Sequence, residues 1–222
     1  MTWTLPNILT VARLLAAPGV ALVFLLLPRP AADWAALALF VAAAATDWLD
    51  GYLARAWGQV TAFGRMLDPI ADKAMVVIAL ALLLALSGLN PLLLIPVVVI
   101  LFREVFVSGL REFLGADAGR LRVTRLAKWK TTVQMVAITA LFLLGILQLE
   151  YEALYYAHDP VKLDAILGGQ AVDDIGLGAA IWRYQATVYA ATGLIWLAAL
   201  LTCVTGADYF LKALPYLGKD RG

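Results

Sequence analysis

The chain has one cysteine, Cys203, and one histidine, His158, in 222 residues. A lone cysteine inside an apolar run builds no disulfide framework and no cysteine-based metal site within one chain. A lone histidine in a polar stretch gives little support to histidine catalysis or soft-metal binding. Charge is scarce too. Only 15% of residues are charged, and 17 basic residues nearly cancel 16 acidic ones. No nucleic-acid partner is expected of so balanced a chain. The opening residues Met1 to Asn7 lack the basic n-region and small-residue cleavage site of a secretory signal, so the first apolar run is expected to belong to the mature protein.

What the sequence has in abundance is apolar side chains, 63% of the total, with a mean hydropathy of +0.86. A chain of that composition takes the bilayer as its solvent. A span needs roughly 20 apolar residues, and six segments qualify, at about 8–27, 33–53, 70–89, 91–114, 129–149 and 184–205. Short links rich in proline and glycine, such as Pro28-Arg29-Pro30 and Ser87-Gly88-Leu89-Asn90-Pro91, end helices without dividing domains. The expectation is an all-α integral membrane protein, residues 1–222 forming one bundle of six transmembrane helices.

With the N-terminus in the cytoplasm, every Lys and Arg except Arg29, Lys162 and Arg183 falls on the cytoplasmic side. The positive-inside rule then sets both termini inside and makes about 150–183 an external loop. That segment holds six of the sixteen acids, and its Gly168-Gly169 and Asp173-Asp174 predict a flexible, solvated excursion. Trp3, Trp34, Trp57, Trp129 and Trp182 fall near predicted helix ends, where they read as interfacial anchors. Arg120, Arg122 and Arg125 read as contacts to anionic headgroups of membrane lipids.

One stretch stands apart chemically. Asp47-Trp-Leu-Asp50-Gly51-Tyr-Leu-Ala54-Arg55 is followed, eight residues on, by Gly64-Arg-Met-Leu-Asp68-Pro-Ile-Ala-Asp72-Lys73. Asp47 and Asp50 are three apart and Asp68 and Asp72 four apart, so each pair shares a helical face. Antiparallel helices two and three bring both pairs to similar depth near the cytoplasmic surface. Four carboxylates in partly dehydrated surroundings repel one another and call for cations. Their oxygens suit Mg²⁺ or Mn²⁺, and two such ions balance four negative charges. Ions roughly 3.5–4 Å apart stabilise in-line displacement at phosphorus. Gly51 and Gly64 leave room for a nucleotide against the backbone, and Arg55 can fork a diphosphate oxygen. As helix caps or counter-charges the aspartates are less well explained. Asp68 before Pro69 does read as an N-cap, but Asp47 and Asp50 lie inside an apolar helix.

The full set Asp47, Asp50, Gly51, Ala54, Arg55, Gly64, Asp68 and Asp72, at these spacings, resembles the signature of the CDP-alcohol phosphatidyltransferases. The resemblance implies a six-helix membrane fold, commonly homodimeric. It implies metal binding by Asp47, Asp50, Asp68 and Asp72, with Asp72 also the general base. Gly51, Ala54, Arg55 and Gly64 would line the site of the CDP-linked lipid, together with Asn7, Thr10 and Lys73.

The acceptor is expected to meet groups outside that signature. Arg103 and Arg111 on helix four, and Lys128, Lys130, Thr131 and Gln134 opening helix five, are the candidates for an acceptor phosphate. Leu5-Pro6-Asn7-Ile8-Leu9-Thr10 with Arg13, Arg103-Glu104, Leu110-Arg111-Glu112 and Lys128-Trp-Lys130-Thr131-Thr-Val-Gln134 resemble the bacterial phosphatidylglycerophosphate synthase branch of the family. That branch implies CDP-diacylglycerol and glycerol 3-phosphate as substrates, phosphatidylglycerophosphate and CMP as products, and a bacterial inner-membrane location. The long 150–183 loop departs from the short connector expected there. Two alternatives stand beside this reading: another acceptor, inositol phosphate or phosphatidylglycerol as in cardiolipin synthases, and a cation transporter.

Overall fold

Four helices open on sequence signals that satisfy their unpaired N–H groups. Thr4 Oγ1 accepts from Asn7 N ahead of α1 (Leu5–Leu26), which carries Pro6 in its first turn. Asn90 Oδ1 accepts from Leu92 N ahead of α4 (Pro91–Leu114), and Asp159 Oδ1 from Val161 N ahead of α6 (Pro160–Leu167). Each pairs a polar cap with a proline where no N–H is needed. Asp173 caps α7 (Leu177–Leu217) by accepting from Leu177 N at 2.9 Å and Gly178 N at 2.8 Å. The remaining helices are α2 (Ala31–Ala56), α3 (Ala62–Leu86) and α5 (Arg125–Tyr156). This computed structural model describes residues 4–115 and 125–217, without the side chains of Trp48, Arg125, Ala127, Lys128 and Leu217. Trp3, Arg120, Arg122, Lys219 and Arg221 lie outside the described residues.

All helices but the eight-residue α6 are long and apolar enough to cross a membrane. Large apolar side chains such as Leu15, Leu25, Phe102 and Val105 face outward at 68–81% exposure, which suits lipid and not water. The six expected spans are therefore present, with different ends. α3 starts at Ala62, not near Ile70, and Pro69 sits inside it. Asp68 is thus a helix-interior residue and not the N-cap its proline neighbour implied. Thr61 takes that role, its Oγ1 accepting from Gly64 N at 3.0 Å.

The stretch 150–183, expected as a flexible loop, is mostly helical. α5 runs on to Tyr156, α6 fills Pro160–Leu167, and α7 begins at Leu177. Caps at Asp159 and Asp173 and positive φ at Gly169 and Gly176 confine the non-helical backbone to 157–159 and 168–176. The 41-residue α7 is about 60 Å long, twice a hydrocarbon core.

The chain divides into two compact units. The first holds residues 1–79 and 139–191, the second 80–138 and 192–222. In the first, α2 turns Ala32, Ala36, Phe40 and Ala43 inward at helical spacing, and Phe40 meets Phe142 of α5 at 5.8 Å between ring centroids. Small residues at these positions let helices approach closely, as membrane packing requires. Asp33 is buried and accepts from Arg29 Nε at 2.9 Å and Nη2 at 2.6 Å, in space left by Gly145. In the second unit, Val107 and Leu114 of α4 bury against Tyr209 and Ala213 of α7.

Candidate active site

Three helices of the first unit assemble the site. α2 contributes Asp47 and Asp50 from its last three turns, and α3 contributes Asp68 and Asp72, one turn apart. α1 contributes Asn7, Thr10 and Arg13, spaced by three and therefore on one face. All three are buried.

Arg13 is the hub. Its Nη1 donates to Asp47 Oδ1 and to Asp72 Oδ1, and its Nη2 donates to Asp50 Oδ2. Thr10 Oγ1 donates to Asp68 Oδ1 at 2.8 Å and approaches Asp50 Oδ2 at 3.4 Å, tying the fourth carboxylate to the other three. The two pairs thus meet across α2 and α3, as their spacing predicts, but through side chains of α1. The Asp50 side chain is 5% exposed, whereas Asp47 and Asp72 are 45% and 43% exposed and open to an incoming ligand.

Beside this cluster lies a cleft of about 40 Å³, room for a few waters. Asn7, Thr10, Asp50, Gly51, Ala54, Gly64 and Asp68 line it, so five of the seven residues expected to hold the CDP-linked lipid are together. A side chain at Gly64 would meet Asn7 Oδ1 at 2.9 Å, so only glycine leaves Asn7 where it is. Arg55 is exposed and lays its guanidinium over Gly51, 3.6 Å from where a Cβ would be. Lys73 is half-buried and does not line the cleft.

Whether these groups suit a divalent ion turns on their chemistry and direction. Among the described residues no three acidic, histidine or cysteine side chains are already arranged to share one ion. The oxygens of Asp47, Asp50 and Asp72 nevertheless converge on one cation, the Arg13 guanidinium, and carboxylate oxygens are hard donors. The donor set fits Mg²⁺ or Mn²⁺.

The sequence profile described as CDP-alcohol phosphatidyltransferase matches residues 3–160, a range that contains the whole cluster. The chain belongs to that family. It is accordingly an enzyme, a CDP-alcohol phosphatidyltransferase, and a multi-pass membrane protein. It is 58% identical to the CDP-diacylglycerol–glycerol-3-phosphate 3-phosphatidyltransferase of Cereibacter sphaeroides over 222 residues, 100% of each chain. The protein of that name in Rickettsia bellii is 37% identical over 212 residues, 96% of each chain. A chloroplastic/mitochondrial protein of that name from Arabidopsis thaliana is 41% identical over 153 residues, 62% of this chain and 50% of its own length.

The phosphatidyltransferase's second unit carries the residues expected at the acceptor. Arg103 and Lys130 converge on Glu104: Arg103 Nη1 lies 3.2 Å from Glu104 Oε1, and Lys130 Nζ donates to the same oxygen. Arg103 Nε and the Oε1 of buried Gln134 have no hydrogen-bond partner. Arg111 is apart from this pair, its guanidinium stacked on the Tyr209 ring at 5.2 Å. Thr131 is exposed, and the Lys128 side chain lies outside the described residues.

Sequence reasoning left Arg13 and Thr61 without a role in the site. Arg13 was legible, being a charge inside an apolar run and subject to the cost that singled out the aspartates. Thr61, which donates to Asn7 Oδ1 at 2.9 Å, was hidden by starting helix three near residue 70.

Proposed function

We propose that the chain transfers the phosphatidyl group of CDP-diacylglycerol to glycerol 3-phosphate, giving phosphatidylglycerophosphate and CMP. The observation that carries the reading is the convergence of Asp47, Asp50 and Asp72 on one point, with Asp68 joined through Thr10. The names of the full-length relatives support the choice of donor and acceptor.

Asp47, Asp50, Asp68 and Asp72 would hold two Mg²⁺ or Mn²⁺ ions. Bound there, the ions supply positive charge that offsets the charge developing on the diphosphate in an in-line displacement. The chain's own residues do the rest. Asn7, Thr10, Gly51, Ala54 and Gly64 seat the cytidine end. Arg55 forks a phosphate oxygen from its perch over Gly51, and Lys73 adds a point charge. Arg103, Arg111, Lys128, Lys130, Thr131 and Gln134 bind the acceptor. The unpartnered Arg103 Nε and Gln134 Oε1 support that role, as a buried donor and acceptor still to be satisfied.

The C1 hydroxyl of glycerol 3-phosphate attacks the β-phosphorus. Asp72 accepts the hydroxyl proton, the bond from the β-phosphorus to the bridging oxygen breaks, and CMP leaves with that oxygen. The half-exposed Asp72 carboxylate suits this role better than the buried Asp50. The distribution of Lys and Arg supports a cytoplasmic site with both termini inside, and the family resemblance supports a homodimer.

Purified enzyme with Mg²⁺ or Mn²⁺ and CDP-diacylglycerol tests the reading. CMP release is expected with glycerol 3-phosphate and not with inositol phosphate or phosphatidylglycerol. Turnover with either of the latter alone moves the activity to another acceptor, and failure with all three overturns the chemistry.

A further inference from the structure

Arg13 is a fully buried cation in the apolar run of α1, 3% exposed, and its two terminal nitrogens are spent on three carboxylates. Its Nε is buried without a hydrogen-bond partner. The guanidinium is aimed wholly at the acids, and its third nitrogen is unpaired.

Charge makes the arrangement incomplete. Four carboxylates carry four negative charges and Arg13 returns one, in surroundings of low dielectric. Without Arg13 the carboxylates would repel one another with only the neutral Thr10 hydroxyl between two of them. With it, the oxygens that suit divalent ions are held by an organic cation and spread around a planar fork. Among the described residues no three of these acids are arranged to share one ion.

We propose that Arg13 is the built-in counter-cation of the ion-free site: it holds Asp47, Asp50 and Asp72 together until divalent ions take those oxygens, and it competes with the ions for them. The inference rests on the ion-binding role given to these aspartates above. It makes Arg13 a positioning residue whose removal strengthens ion binding while weakening the ion-free protein. A residue that only braced the aspartates for ions would weaken ion binding when lost.

The test uses the full chain purified in detergent, with Mn²⁺ binding followed by the electron paramagnetic resonance of free Mn²⁺ and thermal unfolding followed in EDTA. Arg13→Met is expected to bind Mn²⁺ at least tenfold more tightly than the parent. It should also unfold at lower temperature in EDTA and recover with Mn²⁺. Arg13→Lys, whose ammonium is a compact point charge, should fall between the two and serves if the methionine variant does not fold. Unchanged or weaker Mn²⁺ binding in the variants, with binding by the parent intact, overturns the competition and leaves the ion-binding role standing. No Mn²⁺ binding by parent or variants overturns both.

Discussion

Replacing Gly64 by alanine separates stability from donor recognition. The new Cβ would lie 2.9 Å from Asn7 Oδ1 and 3.3 Å from Thr61 Oγ1. Neither neighbour is the loose end of a long side chain. Asn7 is buried and accepts from Thr61 Oγ1 at 2.9 Å, and Thr61 Oγ1 in turn accepts from Gly64 N at 3.0 Å. Displacing Asn7 by a few tenths of an ångström strains or breaks its bond to Thr61, at about 1 kcal/mol, or up to about 3 if the buried amide is left unpaired. Alanine returns about 1 kcal/mol of helix propensity. The net change is therefore about 0–2 kcal/mol, which a folded membrane domain tolerates. The donor cleft has no such margin, since a misplacement of about 1 Å in a positioning group costs on the order of 100-fold. We expect kcat/KM for CDP-diacylglycerol to fall about 10- to 100-fold, read from CMP release by purified protein, with only a small shift in thermal unfolding. Gly109→Ala in α4, where a Cβ meets nothing within 4 Å, is the control: activity should stay near the parent, while stability to thermal unfolding should rise by about 1 kcal/mol, the amount that helix propensity alone returns. Activity of Gly64→Ala within twofold of the parent would refute the placement of Asn7 and Gly64 at the donor.

Asp72→Asn keeps the shape of the site and removes the proton acceptor, so turnover should drop about 10²- to 10⁴-fold with normal membrane expression. Near-parental turnover would take the base role away from Asp72. Stripping ions with EDTA should abolish CMP release and excess Mg²⁺ or Mn²⁺ should restore it, whereas full activity in EDTA would contradict an ion-dependent displacement. The N-terminus of α7 should respond to pH. The N–H groups of Gly178 and Leu177 hold the Asp173 carboxyl below the usual carboxylate range, so its stabilisation is complete above the ordinary carboxylate pKa of about 3.9 and is lost as pH falls through the lowered value. Hydrogen exchange at Leu177 and Gly178 should therefore accelerate, beyond its intrinsic pH dependence, only at pH below about 4, and Asp173→Asn should flatten that response. An unaltered response in the variant would show that the cap does not control this helix end.

Apolar run length was enough to find the six helices of the described residues that are long and apolar enough to cross a membrane, but not their ends. Counting hydrophobic residues stops where charge and aromatic anchors begin, so the sixth span, which is α7, is expected only from Tyr184, past Trp182 and Arg183. The backbone is indifferent to that boundary and continues to the cap that Asp173 supplies, seven residues earlier than the apolar count. Pro69 misled for a related reason. A proline is at home in a first helical turn, so Asp68-Pro69 read as a helix start. It is also tolerated inside a helix when the carbonyl it deprives is near an accessible end, and Arg65, four residues back, is exposed in the opening turn of α3.

The site was legible in its acids and illegible in what joins them. Spacing alone puts Asp47 with Asp50 and Asp68 with Asp72, because three and four residues close one helical turn. No spacing says which third helix lies against those faces. The desolvation cost that made the aspartates conspicuous applies equally to Arg13, and an intramembrane guanidinium must find anions within its reach. The chain offers few acids at that depth, and three of them receive it. An intramembrane cation and an intramembrane acid cluster in one apolar sequence are thus a single constraint, and each predicts the other before any contact is known. Thr10 follows from the same reasoning one turn earlier on α1. A buried hydroxyl beside four carboxylates is a donor, and it donates to Asp68, the acid the guanidinium does not reach.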